Sequence, residues 1–147
     1  MDTECRYIKD SQLIVRPHYT DVKSGRLAKF DGTDNVVLDK NITISNFFGD
    51  NWDPGVEEIK KFINLIYHCD VLITVASTLT LDGACFNRPL INIAFEVLRR
   101  KDTGEDISST WYSSDHYRWV LETNAVDIVY SKEALLQSIN QYLIDPN

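Results

Sequence analysis

The sequence predicts an α/β fold: a Rossmann-like, open and mostly parallel sheet of about five or six strands with helices on both faces. Two observations predict it. Short apolar, β-branched runs alternate with stretches whose apolar residues recur three and four apart. The run Val71-Leu72-Ile73-Thr74-Val75 is apolar enough to be covered on both faces, as the central strands of parallel sheets are. Such alternation implies right-handed crossovers.

In order along the chain, residues 1–12 are polar and without period and are expected to be a poorly ordered lead-in. Leu13-Ile14-Val15 reads as a buried strand running into a loop, Arg16-Pro17-His18-Tyr19-Thr20-Asp21. Asn35 to Leu38 is a second short strand, followed by a further extended piece at Ile42 to Ile44, and the polar stretch Lys23 to Asp34 between them is expected to be loop. Asp53-Pro54 opens a helix, with the carboxylate as cap and the proline where no N–H is lost. Glu57 and Glu58 suit its positive end, and Val56, Ile59, Phe62, Ile63 and Ile66 form a stripe expected to be buried. After the Val71 to Val75 strand, Ala76 to Phe86 is a short helix that stops at Asn87-Arg88-Pro89, and Leu90 to Phe95 is the next buried strand. Glu96 to Ser114 is charged, hydroxyl-rich and long for a connection, so it is expected to be mobile or functional. His116 to Thr123 makes one or two helical turns, and Val126 to Tyr130 is a fifth strand. Ser131 caps a last helix with Leu135, Leu136, Ile139, Tyr142 and Leu143 on its apolar face, stopped by Asp145-Pro146. No repeat or low-complexity tract interrupts this order.

With 147 residues the chain is expected to be a single domain, residues 1–147. Its net charge of −7 argues against nucleic acid, whose binding depends on Lys and Arg that release counterions. Cys5, Cys69 and Cys85 are far apart and follow no export signal, which suggests neither a disulfide framework nor a zinc site and places the chain in a reducing cytoplasm. The Asn41-Ile42-Thr43 sequon is then coincidental. No apolar run approaches the roughly 18 residues of a membrane span, so a soluble protein without a transmembrane segment is expected.

In open parallel sheets, ligands bind at the carboxyl ends of strands, so the residues just after each run carry the functional information. Arg16, His18, Thr20 and Asp21 follow the first run, Ser77, Thr78 and Asp82 the third, and Glu96 the fourth. A strand turning directly into a helix leaves N–H groups, those of Thr78 and Leu79 among them, without intrahelical partners, and such an end attracts a diphosphate. Ser77 and Thr78 add hydroxyl donors. Asp82, about one turn on, is placed to accept from vicinal ribose hydroxyls. From spacing alone, the same residues serve equally as an N-cap and a solvated acid.

The stretch HCDVLITVASTLTLDGACFNRPLINIAF resembles the donor-site segment of GT-B glycosyltransferases: a strand, a small or hydroxyl pair, an acid, and a proline opening the next strand. Asp82 and Pro89 keep that spacing. The chain is similar also to CDP-glycerol glycerophosphotransferases, whose serine pair and acid look like Ser77, Thr78 and Asp82, and to UDP-N-acetylglucosamine 2-epimerases. The glycine pair of the epimerases is replaced here by Ser77-Thr78, and the acid is the shorter Asp82. The resemblance runs from about Leu13 to Leu143.

It implies one half of a GT-B fold, the donor-binding domain of a metal-independent glycosyltransferase of surface-polysaccharide or glycoconjugate assembly, without a cofactor. A nucleoside-diphosphate sugar is the implied ligand, UDP-linked first and CDP- or GDP-linked next. His18 would stabilise the leaving diphosphate as the catalytic group, while Arg16, Ser77, Thr78, Leu79, Asp82 and Glu96 bind the substrate. Arg16 is equally placed to pair with Asp21, and Glu96 to face water. Ser113-Ser114-Asp115-His116-Tyr117-Arg118 resembles the loop that closes over the donor sugar, which adds His116 and Arg118, although loops of this composition are as often solvated. Trp111, Tyr112 and Trp119 either stack on a ligand or belong to the core.

The general base would come from an N-terminal acceptor domain that this chain is expected to lack, so the isolated chain is expected to bind nucleotide weakly and transfer nothing. That missing domain or subunit is the expected partner, and would hold the cytoplasmic protein at the inner face of the membrane. Two other functions fit the fold: a sugar-nucleotide 2-epimerase-like isomerase domain, and a non-catalytic nucleotide-binding or interaction domain. A response-regulator receiver does not, because Val75-Ala76 stands where its phosphoacceptor aspartate belongs. The six glycines form no dinucleotide or P-loop motif.

Overall fold

A computed structural model of the chain describes residues 8–40, 42–44 and 54–145, the side chain of His116 excepted. The Asp53 cap, Asn41 of the sequon, Cys5 and Pro146 lie outside the described residues. The fold is α/β, and its strands pair in parallel, in one sheet of two strands and one of three. The single sheet of five or six strands predicted from the alternation is not the arrangement of these ladders. Each strand holds three or four residues, fewer than the five or six usual for sheets, so each ladder offers few bonds for recruiting another strand. Two compact units result, one of residues 8–65 and one whose described part begins at Ile66.

In the first unit, β1 (Leu13–Val15) runs parallel to β2 (Val36–Leu38), with Leu13 opposite Val36 and Val15 opposite Leu38. The connection contains α1 (Tyr19–Ser24), in a stretch that reads as loop from sequence. Local bonds make this helix: the His18 imidazole accepts the Thr20 N–H at 3.5 Å, and Gly25, at φ 63°, returns its own N–H to Asp21 and Val22. That left-handed end is open to glycine at little cost. Helix α2 (Val56–His68) begins in this unit and ends in the next. Its predicted stripe is only partly buried. Ile66 is covered and Phe62 half-covered, whereas Val56, Ile59 and Ile63 are exposed, because the helix buries the face carrying Glu58, Phe62, Leu65 and Ile66 instead.

The second unit is a β-α-β-α-β-α succession: β3 (Leu72–Thr74), α3 (Leu79–Cys85), β4 (Leu90–Ile93), α4 (Asp115–Glu122), β5 (Asp127–Val129) and α5 (Lys132–Ile144). The ladder order is β3-β4-β5, all parallel, with Ile73 opposite Ile91 and Ile93 opposite Val129. Ile91 and Asn92, in the middle strand, are wholly buried. Helix α3 lies close on the sheet through Gly83, where a Cβ would stand 2.5 Å from Leu90 Cδ2 and 2.6 Å from Leu72 Cδ2. Ser131 caps α5 by accepting the Ala134 N–H at 3.2 Å. Cys69 and Cys85 are both free thiols. No described helix is long and apolar enough to cross a membrane.

Residues 96–114, without period in sequence, are ordered by side chains bonded to backbone. The wholly buried Ser108 hydroxyl accepts the N–H groups of Val97 at 2.8 Å and Leu98 at 2.9 Å, and donates to Asp106 Oδ1 at 2.5 Å. A 3-10 turn, Ser108–Ser113, follows. Ser108→Ala leaves two backbone donors without their acceptor and is expected to cost about 2–4 kcal/mol. A urea midpoint that does not move, or unchanged amide exchange at Val97 and Leu98, would contradict this role.

Candidate functional site

The carboxyl edge of the three-stranded sheet is the site that a parallel arrangement offers first. Beyond β3 the chain bends at Val75-Ala76-Ser77 and enters α3. Ser77 is half-buried, and its hydroxyl accepts the Leu79 N–H at 3.0 Å. Thr78 is exposed and makes no side-chain cap. Among the described residues, the N–H groups of Ser77 and Thr78 have no hydrogen-bond partner. Asp82, exposed, stands in the first turn of α3. Ser77, Thr78, Leu79 and Asp82 therefore lie together, as their spacing implies. Helix α3 has seven residues, so its dipole adds little and the donors of the bend itself matter more.

Part of this edge is filled by the chain. Tyr112, from the 3-10 turn, is buried, and its hydroxyl donates to the Ile93 carbonyl at 2.9 Å. Burial pushes its pKa far above the ordinary value. Tyr117 meets it edge-on at 5.4 Å, and Trp111 packs against the pair, so these two aromatic candidates for stacking are core. Trp119 is the exception and faces solvent.

Glu96 follows β4 by three residues and adopts φ 53°. Its N–H donates to Asp106 Oδ2 at 2.7 Å, and its exposed carboxylate pairs with Arg99 at 3.4 Å. Asp106 is held at about 2 by that N–H, by the Ser108 hydroxyl and by the Ser108 N–H. Arg118 stands on α4, exposed, with Glu122 at 3.7 Å. His116 stands on the same helix, its side chain outside the described residues.

The first unit holds the remaining candidates. His18 is exposed and stacks beside Tyr19 at 4.0 Å between ring centres. Its Nδ1 takes the Thr20 N–H and lies 2.8 Å from the Thr20 hydroxyl, so the neutral ring carries its proton on Nε2 as a donor. Asp21 pairs with Arg26 at 2.8 Å and not with Arg16. Arg16 instead reaches Asp39 at 2.6 Å and Glu58 at 3.2 Å, with its guanidinium 5.1 Å above the Phe62 ring. Lys61 closes on the other Asp39 oxygen at 2.6 Å.

Arg16 and Asp39 directly follow the paired strands β1 and β2, so this charged cluster forms the carboxyl edge of the smaller sheet. Asp39 was findable by the same positional rule that picks out Arg16; Glu58 and Lys61 give no such signal. A depression of about 320 Å3 lies beside the cluster, floored by Ile14, Val37 and Leu65. Its two lysines, Lys40 and Lys61, are matched by Asp31 and Asp39, which leaves no net field for an anion. Among the described residues, no group of three or more His, Cys, Asp or Glu is placed to hold a metal ion.

No family model matches the chain, and no curated protein or solved structure is found similar to it.

Proposed function

We propose that the chain is the nucleoside-diphosphate-sugar-binding half of a glycosyltransferase that works without a metal ion. One observation supports it above the rest: Thr78 and Asp82 stand exposed at the carboxyl edge of a parallel sheet, beside two backbone N–H groups that the fold leaves without partners. Such an edge suits two linked phosphates, and an acid one turn on suits a ribose. With this reading goes the finer assignment to one half of a GT-B fold, whose other half binds the acceptor. His18, exposed and with Nε2 free of the Thr20 contact, keeps the role of steadying the departing diphosphate, and Glu96, His116 and Arg118 remain the candidate sugar contacts. Arg16 fits less well, since its charge is spent on Asp39 and Glu58.

The ligand must stabilise the native state, by about 2.7 kcal/mol at a hundredfold excess over Kd. UDP, CDP, GDP and their sugars are therefore expected to raise the melting temperature of the wild type. Asp82→Ala, a change at an exposed position, should abolish most of that rise while leaving the unliganded midpoint in place. Equal rises in both proteins would remove Asp82 from the site.

A second reading, a non-catalytic interaction domain, draws on a specific observation as well. Tyr112 already fills part of the edge, and Ser77 takes the Leu79 N–H, so space and a donor beside the bend are used internally. It predicts no rise with any nucleotide.

A further inference from the structure

β5 ends at Val129, and because β3, β4 and β5 are parallel, the next residue, Tyr130, stands at the same sheet edge as Ser77. The Ala94 N–H donates to the Val129 carbonyl at 2.9 Å, which carries the ladder to its last residue and sets Tyr130 beside Ala94. The buried Tyr112 hydroxyl bonds the Ile93 carbonyl, one residue before Ala94, at this same edge.

Tyr130 is 63% exposed and enters none of the ring contacts among the described residues. A lone exposed aromatic needs no explanation by itself; its place at this edge is what carries weight. Trp119, equally exposed, differs: at about 100° per residue it lies on the side of α4 opposite Tyr117, Val120 and Leu121, which pack on the core.

We infer that Tyr130 is the platform on which the base of the bound nucleotide stacks, an inference that rests on the donor-site reading. β3 and β5 flank β4 at about 10 Å from each other, the order of the reach from a base through ribose to a diphosphate. A stacked phenol ring accepts any base, since every base has a π-face, so Tyr130 supplies affinity while selection among bases comes from other contacts.

The test is titration calorimetry of the full chain with UDP and, separately, with inorganic pyrophosphate, for wild type, Tyr130→Ala and Tyr130→Phe. Tyr130→Ala should weaken UDP about tenfold and leave pyrophosphate unchanged, and Tyr130→Phe should bind UDP as the wild type does. Unliganded melting temperatures should agree among the three, because the side chain is exposed. UDP bound as tightly by Tyr130→Ala, or an equal loss for pyrophosphate, overturns the stacking role and leaves the donor site standing. UDP bound by none of the proteins overturns both.

Discussion

Replacing Asn92 by alanine is expected to cost about 2–4 kcal/mol of stability, a large share of the roughly 5–15 kcal/mol that holds a domain together. Asn92 is wholly buried in the middle strand of the larger sheet, where its side chain closes a ring of three hydrogen bonds. Its amide N–H donates to the Tyr117 hydroxyl, which bonds Thr80 Oγ1 at 2.9 Å, and Thr80 in turn donates to Asn92 Oδ1 at 3.2 Å. Each member gives and receives once, so three buried polar groups from α3, β4 and α4 satisfy one another. Alanine leaves one of the two hydroxyls, of Thr80 or Tyr117, without an acceptor and opens a void at the centre of the sheet. Urea unfolding should show a lower midpoint at an unchanged slope. Because the three act as a unit, Thr80→Val and Asn92→Ala together should cost less than the sum of the two. Strict additivity, or a single-mutant loss under about 1 kcal/mol, would show that the ring contributes little.

The same ring marks the limit of what the chain's sequence discloses. All five described strands were visible as apolar runs: β1 keeps its bounds, β2 begins one residue later, and the three strands of the larger sheet are shorter, with Val75, Phe95 and Tyr130 beyond their ends. Helix α1 was not visible: Tyr-Thr-Asp-Val-Lys-Ser has no apolar stripe, and the helix is held by His18 at one end and Gly25 at the other. Residues 96–114 have no period because their order comes from Ser108 and Asp106 bonding backbone groups 10 or 11 residues away, an arrangement that follows no repeat. At the candidate site, positions after strands were legible, so Ser77, Thr78 and Asp82 could be grouped. What fills the space beside them, the Tyr112 ring, could not be, since it arrives from a distant turn. Asn92 did leave a trace, as the one amide in an otherwise apolar strand, but its partners on two helices did not.

Asp39 supports the largest expected effect in the smaller unit. Its carboxylate is 3% exposed, with Arg16 on one oxygen and Lys61 on the other. Burial by itself would raise its pKa, but the hydrogen bonds from Lys61 and Arg16, with the attraction of both cations, outweigh burial and hold it below 3.8. Asp39→Ala removes the anion shared by two cations. Arg16 keeps Glu58, and Lys61, half-exposed, turns to water, so the expected loss is about 2–4 kcal/mol, toward the lower end of what breaking a buried pair costs. The pH dependence follows from the lowered pKa. The stabilisation from Asp39 is present in full above the unfolded value of 3.8 and is lost as pH falls through the lower folded value. Asp39→Asn keeps the shape and cannot ionise, so its deficit against the wild type should be constant near neutrality and shrink as pH drops below about 4. Urea midpoints of the two proteins across that range decide it: a deficit that stays constant to the acid limit would mean that the charge on Asp39 contributes nothing, and that its place between Arg16 and Lys61 is a matter of packing.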